Sequence, residues 1–130
     1  MKKALIIDDS FYTLTTHSEL VTQEGMVPLV ASGGEEALQI YRTEKPEIVL
    51  CDIMMPEMNG YEVCEALKEI DPNVFLYFVS AEMTEQARQR ATALGAAGYF
   101  QKPISNAEIQ TVVTHYESLK KNLPGGRAFL

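Results

Sequence analysis

The stretch Ile48-Val49-Leu50-Cys51-Asp52-Ile53-Met54-Met55-Pro56-Glu57-Met58-Asn59-Gly60 decides the fold. Four apolar residues, a strand's worth, run into one carboxylate, and Met55-Pro56 and Asn59-Gly60 then turn the chain. Asp52 is thereby presented where a buried strand breaks, which is where a nucleophile belongs. The pattern recurs outward from this point. Asp8 and Asp9 end the run Ala4 to Ile7, Ser80 ends Val74 to Val79, and Lys102-Pro103 follows Gly98-Tyr99-Phe100-Gln101. Four strand ends each deliver a polar group.

Short apolar runs alternate with segments of helical period along the whole chain, the mark of repeated β-α units and a parallel sheet. The expected strands are Ala4 to Ile7, Val27 to Val30, Ile48 to Cys51, Val74 to Val79 and Gly98 to Phe100. Their unbroken apolar character fits strands covered by helices on both faces. Ser32-Gly33-Gly34-Glu35 and Ser105-Asn106-Ala107-Glu108 have capping-box spacing, so helices are expected to start near residues 33 and 106. Gly25 and Gly95 read as helix stops, and Pro46 and Pro72 fall in other connections that lead into a strand. Ile109, Val112, Val113, Tyr116 and Leu119 form an apolar stripe suited to docking on a sheet. The first helix, Phe11 to Glu24, is rich in Thr and weak on propensity, so packing must hold it.

A chain of 130 residues fits one domain with a real core, and its 46% hydrophobic and 22% charged composition is that of a globular protein. A net charge of -7 argues against gripping a nucleic-acid backbone, which requires clustered Lys and Arg. No apolar run approaches the roughly 18 residues of a membrane span. Met1-Lys2-Lys3 leads into too few apolar residues for a signal peptide, so a cytoplasmic location is the expectation. Cys51 in a strand and Cys64 on the apolar side of a helix read as two free core thiols rather than a disulfide or a zinc site.

In an open parallel sheet, ligands bind beyond the carboxyl ends of the strands where strand order reverses. If the first, third, fourth and fifth strands are neighbours, Asp8, Asp9, Asp52, Ser80 and Lys102 converge on one cleft. Three carboxylates so close repel one another unless a cation joins them. Their hard oxygens suit Mg²⁺, which commonly binds through one or two carboxylates plus phosphate oxygens. A carboxylate can attack phosphorus to form an acyl phosphate, with Lys102 and Ser80 available to hold phosphoryl oxygens.

Asp8-Asp9, Asp52 with Met55-Pro56 and Asn59-Gly60 downstream, Ser80-Ala81, and Tyr99 three before Lys102-Pro103 together resemble the receiver domain of bacterial two-component response regulators. The resemblance runs from about Lys3 to Lys121. It implies a flavodoxin-like, doubly wound α/β fold with five parallel strands in the order 2-1-3-4-5, a receiver over 1–121, and a tail or linker start over 122–130. It further implies a phosphorylation-controlled switch that takes a phosphoryl group onto Asp52 from the phosphohistidine of a sensor histidine kinase or histidine phosphotransfer protein. By the same resemblance Asp9 and Asp52 bind Mg²⁺ directly, Asp8 helps through water, and the Met54 backbone carbonyl completes the protein ligands. Ser80 and Lys102 grip the phosphoryl group, and Tyr99 is the aromatic switch. An unknown downstream protein reads the face of the fourth helix, fifth strand and fifth helix, and self-association there is compatible with the pattern. The implied protein is no enzyme on outside substrates, catalysing only its own phosphorylation and slow dephosphorylation.

Blander readings stand beside these. Asp8 and Asp9 can favour a helix N-terminus through its dipole, Asp52 can be a turn residue, and Tyr99 a half-buried strand aromatic. Met54, Met55 and Met58 read as fillers of loop and core gaps, and His17 and His115 as surface or interface residues. Glu82, Glu85, Arg88 and Arg90 read as a solvated face, and Gly33-Gly34 as the start of the second helix. Rival functions are a receiver cut from a longer regulator or hybrid kinase, a small Mg²⁺-dependent phosphatase, and a flavodoxin-like cofactor binder. The last lacks a phosphate loop after the first strand.

Overall fold

A computed structural model describes residues 1–121; the expected tail at 122–130 lies outside the described residues. The elements alternate strictly: β1 (Lys3–Ile7), α1 (Phe11–Gln23), β2 (Val27–Ala31), α2 (Gly34–Glu44), β3 (Ile48–Cys51), α3 (Gly60–Ile70), β4 (Leu76–Ser80), α4 (Glu85–Ala93), β5 (Gly98–Gln101) and α5 (Asn106–Lys121). The five strands form one parallel sheet in the order β2-β1-β3-β4-β5, as expected.

Strand alternation explains the unbroken apolar runs. Leu5, Ile7, Val49, Cys51, Leu76 and Phe78 point to the core under α2 and α3. Their neighbours Ala4, Ile6, Ile48, Leu50, Tyr77 and Val79 point to the opposite core under α1 and α5. Burial on both faces holds for the inner strands and fails at the edges. On β2, Val27 and Val30 are 36% and 43% exposed, and on β5 exposed and half-buried residues alternate. Each edge strand lacks a neighbour on one side, so its side chains are less completely roofed. The strand expected from Val74 begins instead at Leu76, because Val74 is still in the turn after α3, its N–H bonded to the Asp71 carbonyl.

The helix ends follow local chemistry. Ser105 and Glu108 form the expected reciprocal box, with Ser105 N–H donating to Glu108 Oε1 at 2.9 Å and Glu108 N–H to Ser105 Oγ at 3.3 Å. The box expected from Ser32 and Glu35 does not form. Gly33 is the cap residue, so Glu36 occupies the third helical position and accepts from Ser32 N–H at 2.9 Å. A box not anticipated, Asn59 with Glu62, starts α3. Asn59→Ala is expected to cost about 1 kcal/mol by urea unfolding, and an unchanged midpoint would show the cap idle. Gly25 and Gly95 adopt φ of 81° and 80°, the left-handed conformation that ends a helix.

His17 corrects the surface reading. It is 5% exposed, because Thr13, His17 and Val21 stand four apart on the face of α1 that meets the sheet. Its imidazole is pushed below the usual histidine range, first by burial and then by Lys102, with Asp8 opposing. His115 has an interface role inside the fold, its Nδ1 lying 2.6 Å from the Tyr77 hydroxyl. Met55 is buried as expected, whereas Met54 is 73% exposed and fills no gap. Cys51 and Cys64 are free and buried.

Candidate functional site

Parallel register aligns the strand ends. Ile7 pairs with Cys51, so Asp8 and Asp52 leave the sheet side by side. The ladder continues one step past the strands: Asp8 N–H donates to the Ala31 carbonyl at 3.1 Å and Asp52 N–H to the Ile7 carbonyl at 2.9 Å. On the other flank Ser80 pairs with Gln101, and Lys102 N–H donates to the Ser80 carbonyl at 2.8 Å. Four backbones thus deliver their polar residues to one cleft.

Asp8, Asp9 and Asp52 each offer a carboxylate oxygen, all within 4.8 Å of one another. Asp8 and Asp52 are buried and Asp9 is exposed. Lys102 Nζ lies 2.6 Å from Asp8 Oδ2 and 3.7 Å from Asp52 Oδ2. The two buried acids are further oriented by their own backbone: Ser10 N–H donates to Asp8 Oδ1 at 2.8 Å, and Ile53 N–H to Asp52 Oδ1 at 2.9 Å. Asp52 therefore keeps Oδ2 turned toward the lysine. One lysine against three acids leaves net negative charge, which suits a hard divalent cation bound through oxygen. Ser80 Oγ is buried and has no hydrogen-bond partner among the described residues. Such a hydroxyl is expensive to leave unsatisfied and marks a place for a ligand oxygen.

Burial pushes the Asp52 carboxyl above the usual carboxylate range, and Asp8 adds to this, while Lys102 and the Ile53 N–H oppose. A raised folded-state value means that ionised Asp52 costs stability above that value. The cost fades as pH falls through it toward the unfolded value, about 3.9. In chelator, Asp52→Asn is therefore expected to melt higher than the parent at pH 7, with the difference closing on acidification. A divalent cation reverses the order by binding the folded parent, giving about 2.7 kcal/mol at a hundred times its dissociation constant. A parent Tm indifferent to the cation would refute the cation site.

The expected site residues are placed as follows. Asp8, Asp9, Asp52 and Lys102 meet directly, and Ser80 lies beside them on β4. Met54 stands two residues past Asp52 on the rim, its side chain in solvent. Tyr99 is not in the cleft; it sits on edge strand β5 opposite Phe78, 36% exposed. Gly60 is the site residue whose role was not anticipated. Its N–H donates to the Ile53 carbonyl at 2.9 Å, and a Cβ there would fall 2.1 Å from the Asp52 carbonyl oxygen. The Asn59-Gly60 pair signals a turn, but only the packing shows what the turn touches. Glu82 and Arg90 line a groove of about 260 Å³ that also includes Ser80 and Tyr61, and the Arg90 guanidinium stacks 4.2 Å over the Tyr61 ring.

The response regulator receiver domain matches residues 4–114 of the chain. Sporulation initiation phosphotransferase F of Bacillus subtilis is 34% identical over 121 residues, covering 93% of this chain and 98% of its own. The alkaline phosphatase synthesis transcriptional regulatory protein PhoP of the same organism is 33% identical over 112 residues, and there the chain spans 47% of the relative's length. Among solved structures, the CheX-CheY-BeF3-Mg²⁺ complex from Borrelia burgdorferi superimposes with a TM-score of 0.83 at 30% identity, covering 92% of this chain and 90% of the other.

Proposed function

The chain belongs to the response regulator receiver family, and from that membership we propose how its cleft works as a phosphorylation-controlled signalling switch. Asp52 Oδ2 is the nucleophile. It attacks the phosphorus of a phosphohistidine on a sensor kinase or phosphotransfer protein; the O–P bond forms as the P–N bond breaks, and the released imidazole nitrogen takes up a proton. The Ile53 N–H holds Oδ1, so the attacking oxygen is kept in one orientation. Lys102, within ion-pair reach of both buried acids, turns to a phosphoryl oxygen, and the Ser80 hydroxyl donates to another. Asp9, Asp52 and the Met54 carbonyl would hold Mg²⁺, with Asp8 assisting through water, and the ion would neutralise charge building on the transferred group.

The observation that carries this reading is the buried Ser80 hydroxyl without a partner, beside three carboxylates and one lysine. Movement of Ser80 toward the phosphoryl group draws on the β4–α4 connection and on α4, whose single buried residue is Ala91. Tyr99, half out of the fold, turns inward in the same transition, and the face of α4, β5 and α5 then meets a downstream protein or a second copy. The protein transforms no outside substrate; it catalyses only its own labelling and slow loss of label. With its net charge of -7 the domain does not itself hold nucleic acid. Free buried thiols accord with a cytoplasmic setting. No helix among the described residues is long and apolar enough to cross a membrane.

Intact mass after incubation with acetyl phosphate tests the reading. One phosphoryl group is expected to add with Mg²⁺ and none with chelator. Absence of addition under both conditions would leave the receiver fold without its proposed chemistry.

A further inference from the structure

We propose that the cavity at the amino ends of β3 and β4 binds a small aromatic carboxylate, its ring against Phe75 and Tyr116 and its anion on Arg42 and Lys45. The site is separate from the acid cleft and does not depend on the phosphoacceptor reading. Asp52 follows β3 and Ser80 ends β4, whereas Glu47 and Phe75 precede those strands. The four residues of β3, at roughly 3.3 Å each, put about 13 Å of sheet between the two sites.

The cavity holds about 390 Å³, within the range of small-molecule pockets, roughly 300 to 1,000 Å³. Its floor is apolar. Ile70, Phe75 and Tyr116 line it, and the Phe75 and Tyr116 rings meet edge to face with centroids 5.3 Å apart, an arrangement that a third ring can join. Its rim carries four charges. The two acids are engaged: Glu47 Oε1 accepts from Lys3 N–H at 2.8 Å, Asp71 Oδ2 from the Tyr41 hydroxyl at 2.9 Å, and Asp71 Oδ1 from Asn73 N–H at 3.0 Å. The two cations are not. Among the described residues neither Arg42 nor Lys45 has an ion-pair partner. The free valence of the cavity is therefore cationic, in a chain whose net charge is -7.

Lys45 stands where a lysine is disfavoured. It caps α2 at φ 48° and ψ 58°, a left-handed conformation that glycine adopts without strain. Offsetting the dipole at the end of α2 accounts for Arg42 in the last turn, but it does not call for a lysine in that backbone conformation. Charge and shape then select the ligand. Arg42 and Lys45 balance Glu47 and Asp71, so a monoanion leaves one net negative charge, while a phosphate dianion leaves two and meets more repulsion from the same acids. A planar carboxylate also matches the guanidinium fork with two parallel hydrogen bonds.

Backbone amide shifts of ¹⁵N-labelled protein test the site, with 3-phenylpropionate, 3-phenylpropionamide and phenyl phosphate as probes on the parent and on Arg42→Gln/Lys45→Gly. The parent is expected to bind 3-phenylpropionate with a Kd of about 1 mM or tighter, with shifts centred on Lys45, Glu47 and Asn73. The amide and phenyl phosphate bind at least about tenfold more weakly, and the double variant loses at least about tenfold in affinity for 3-phenylpropionate. Both substituted positions are exposed, and Lys45→Gly relieves the left-handed cap, so the variant stays folded and its own spectrum reports this. Absence of shifts up to about 20 mM, some twentyfold above that Kd, would overturn the site. Equal binding of the amide, tighter binding of phenyl phosphate, shifts centred on Asp8 and Asp52, or undiminished binding by the folded variant would each overturn it as well.

Discussion

Asp52→Asn is expected to abolish acceptance of phosphoryl groups from every donor while the protein stays folded. The amide offers no anionic oxygen to attack phosphorus, and losing a nucleophile that acts in concert with its neighbours costs at least about a thousandfold in rate. The fold survives because an Asn oxygen can still accept from Ile53 N–H, the bond that anchors Asp52 Oδ1 at 2.9 Å. Neutralising the residue also relieves its repulsion with Asp8, the second cause, after burial, of its raised pKa. Intact mass with acetyl phosphate and Mg²⁺ reads the first effect, and melting in chelator reads the second. A variant still labelled at another residue would show that Asp52 is not the acceptor. A variant unfolded at pH 7 would show that the carboxylate is structural.

Gly60→Ala is expected to be the most disruptive single methyl in the site. Its Cβ would lie 2.1 Å from the Asp52 carbonyl oxygen, 2.8 Å from Ile53 Cα and 2.9 Å from Asp52 carbonyl carbon. All three atoms are backbone, so no rotamer change relieves the overlap. Either α3 lifts away, breaking the Gly60 N–H bond to Ile53 and straining the Asn59–Glu62 box, or the loop carrying Asp52 moves. The expected cost is about 3 kcal/mol, near the upper end for overpacking, or about 10 °C in Tm. Labelling is expected to fall with it, since the displaced segment is the one that aims Oδ2. A Tm within about 2 °C of the parent and an unchanged labelling rate would show that the two backbones can part freely. The requirement here is close approach rather than a left-handed φ, which among the glycines of the described residues is found at Gly25 and Gly95.

Several features were legible in the chain because a local rule and the global fold demand the same residue. Ile48 to Cys51 reads as a buried strand because both of its faces are buried. Asp8, Asp52, Ser80 and Lys102 are found by asking what ends each strand, since in a parallel sheet those ends share one rim. The Ser105–Glu108 box is set within one turn of helix. Where the spacing was misjudged by one residue, the local rule failed: the box expected from Ser32 and Glu35 does not form, because the start of α2 at Gly34 puts Glu36 at the third helical position.

The order of residues thus determined the β-α alternation, the parallel sheet and the set of acids, hydroxyl and lysine at its carboxyl rim, because these depend on period and on position relative to strand ends. Tertiary structure alone decided the rest. It placed His17 under the sheet, left Val27, Val30 and Tyr99 on open edges, turned Met54 to solvent, and brought Gly60 against the backbone of Asp52. These outcomes depend on which distant segments meet, and a pattern along one chain carries no record of what lies across the gap.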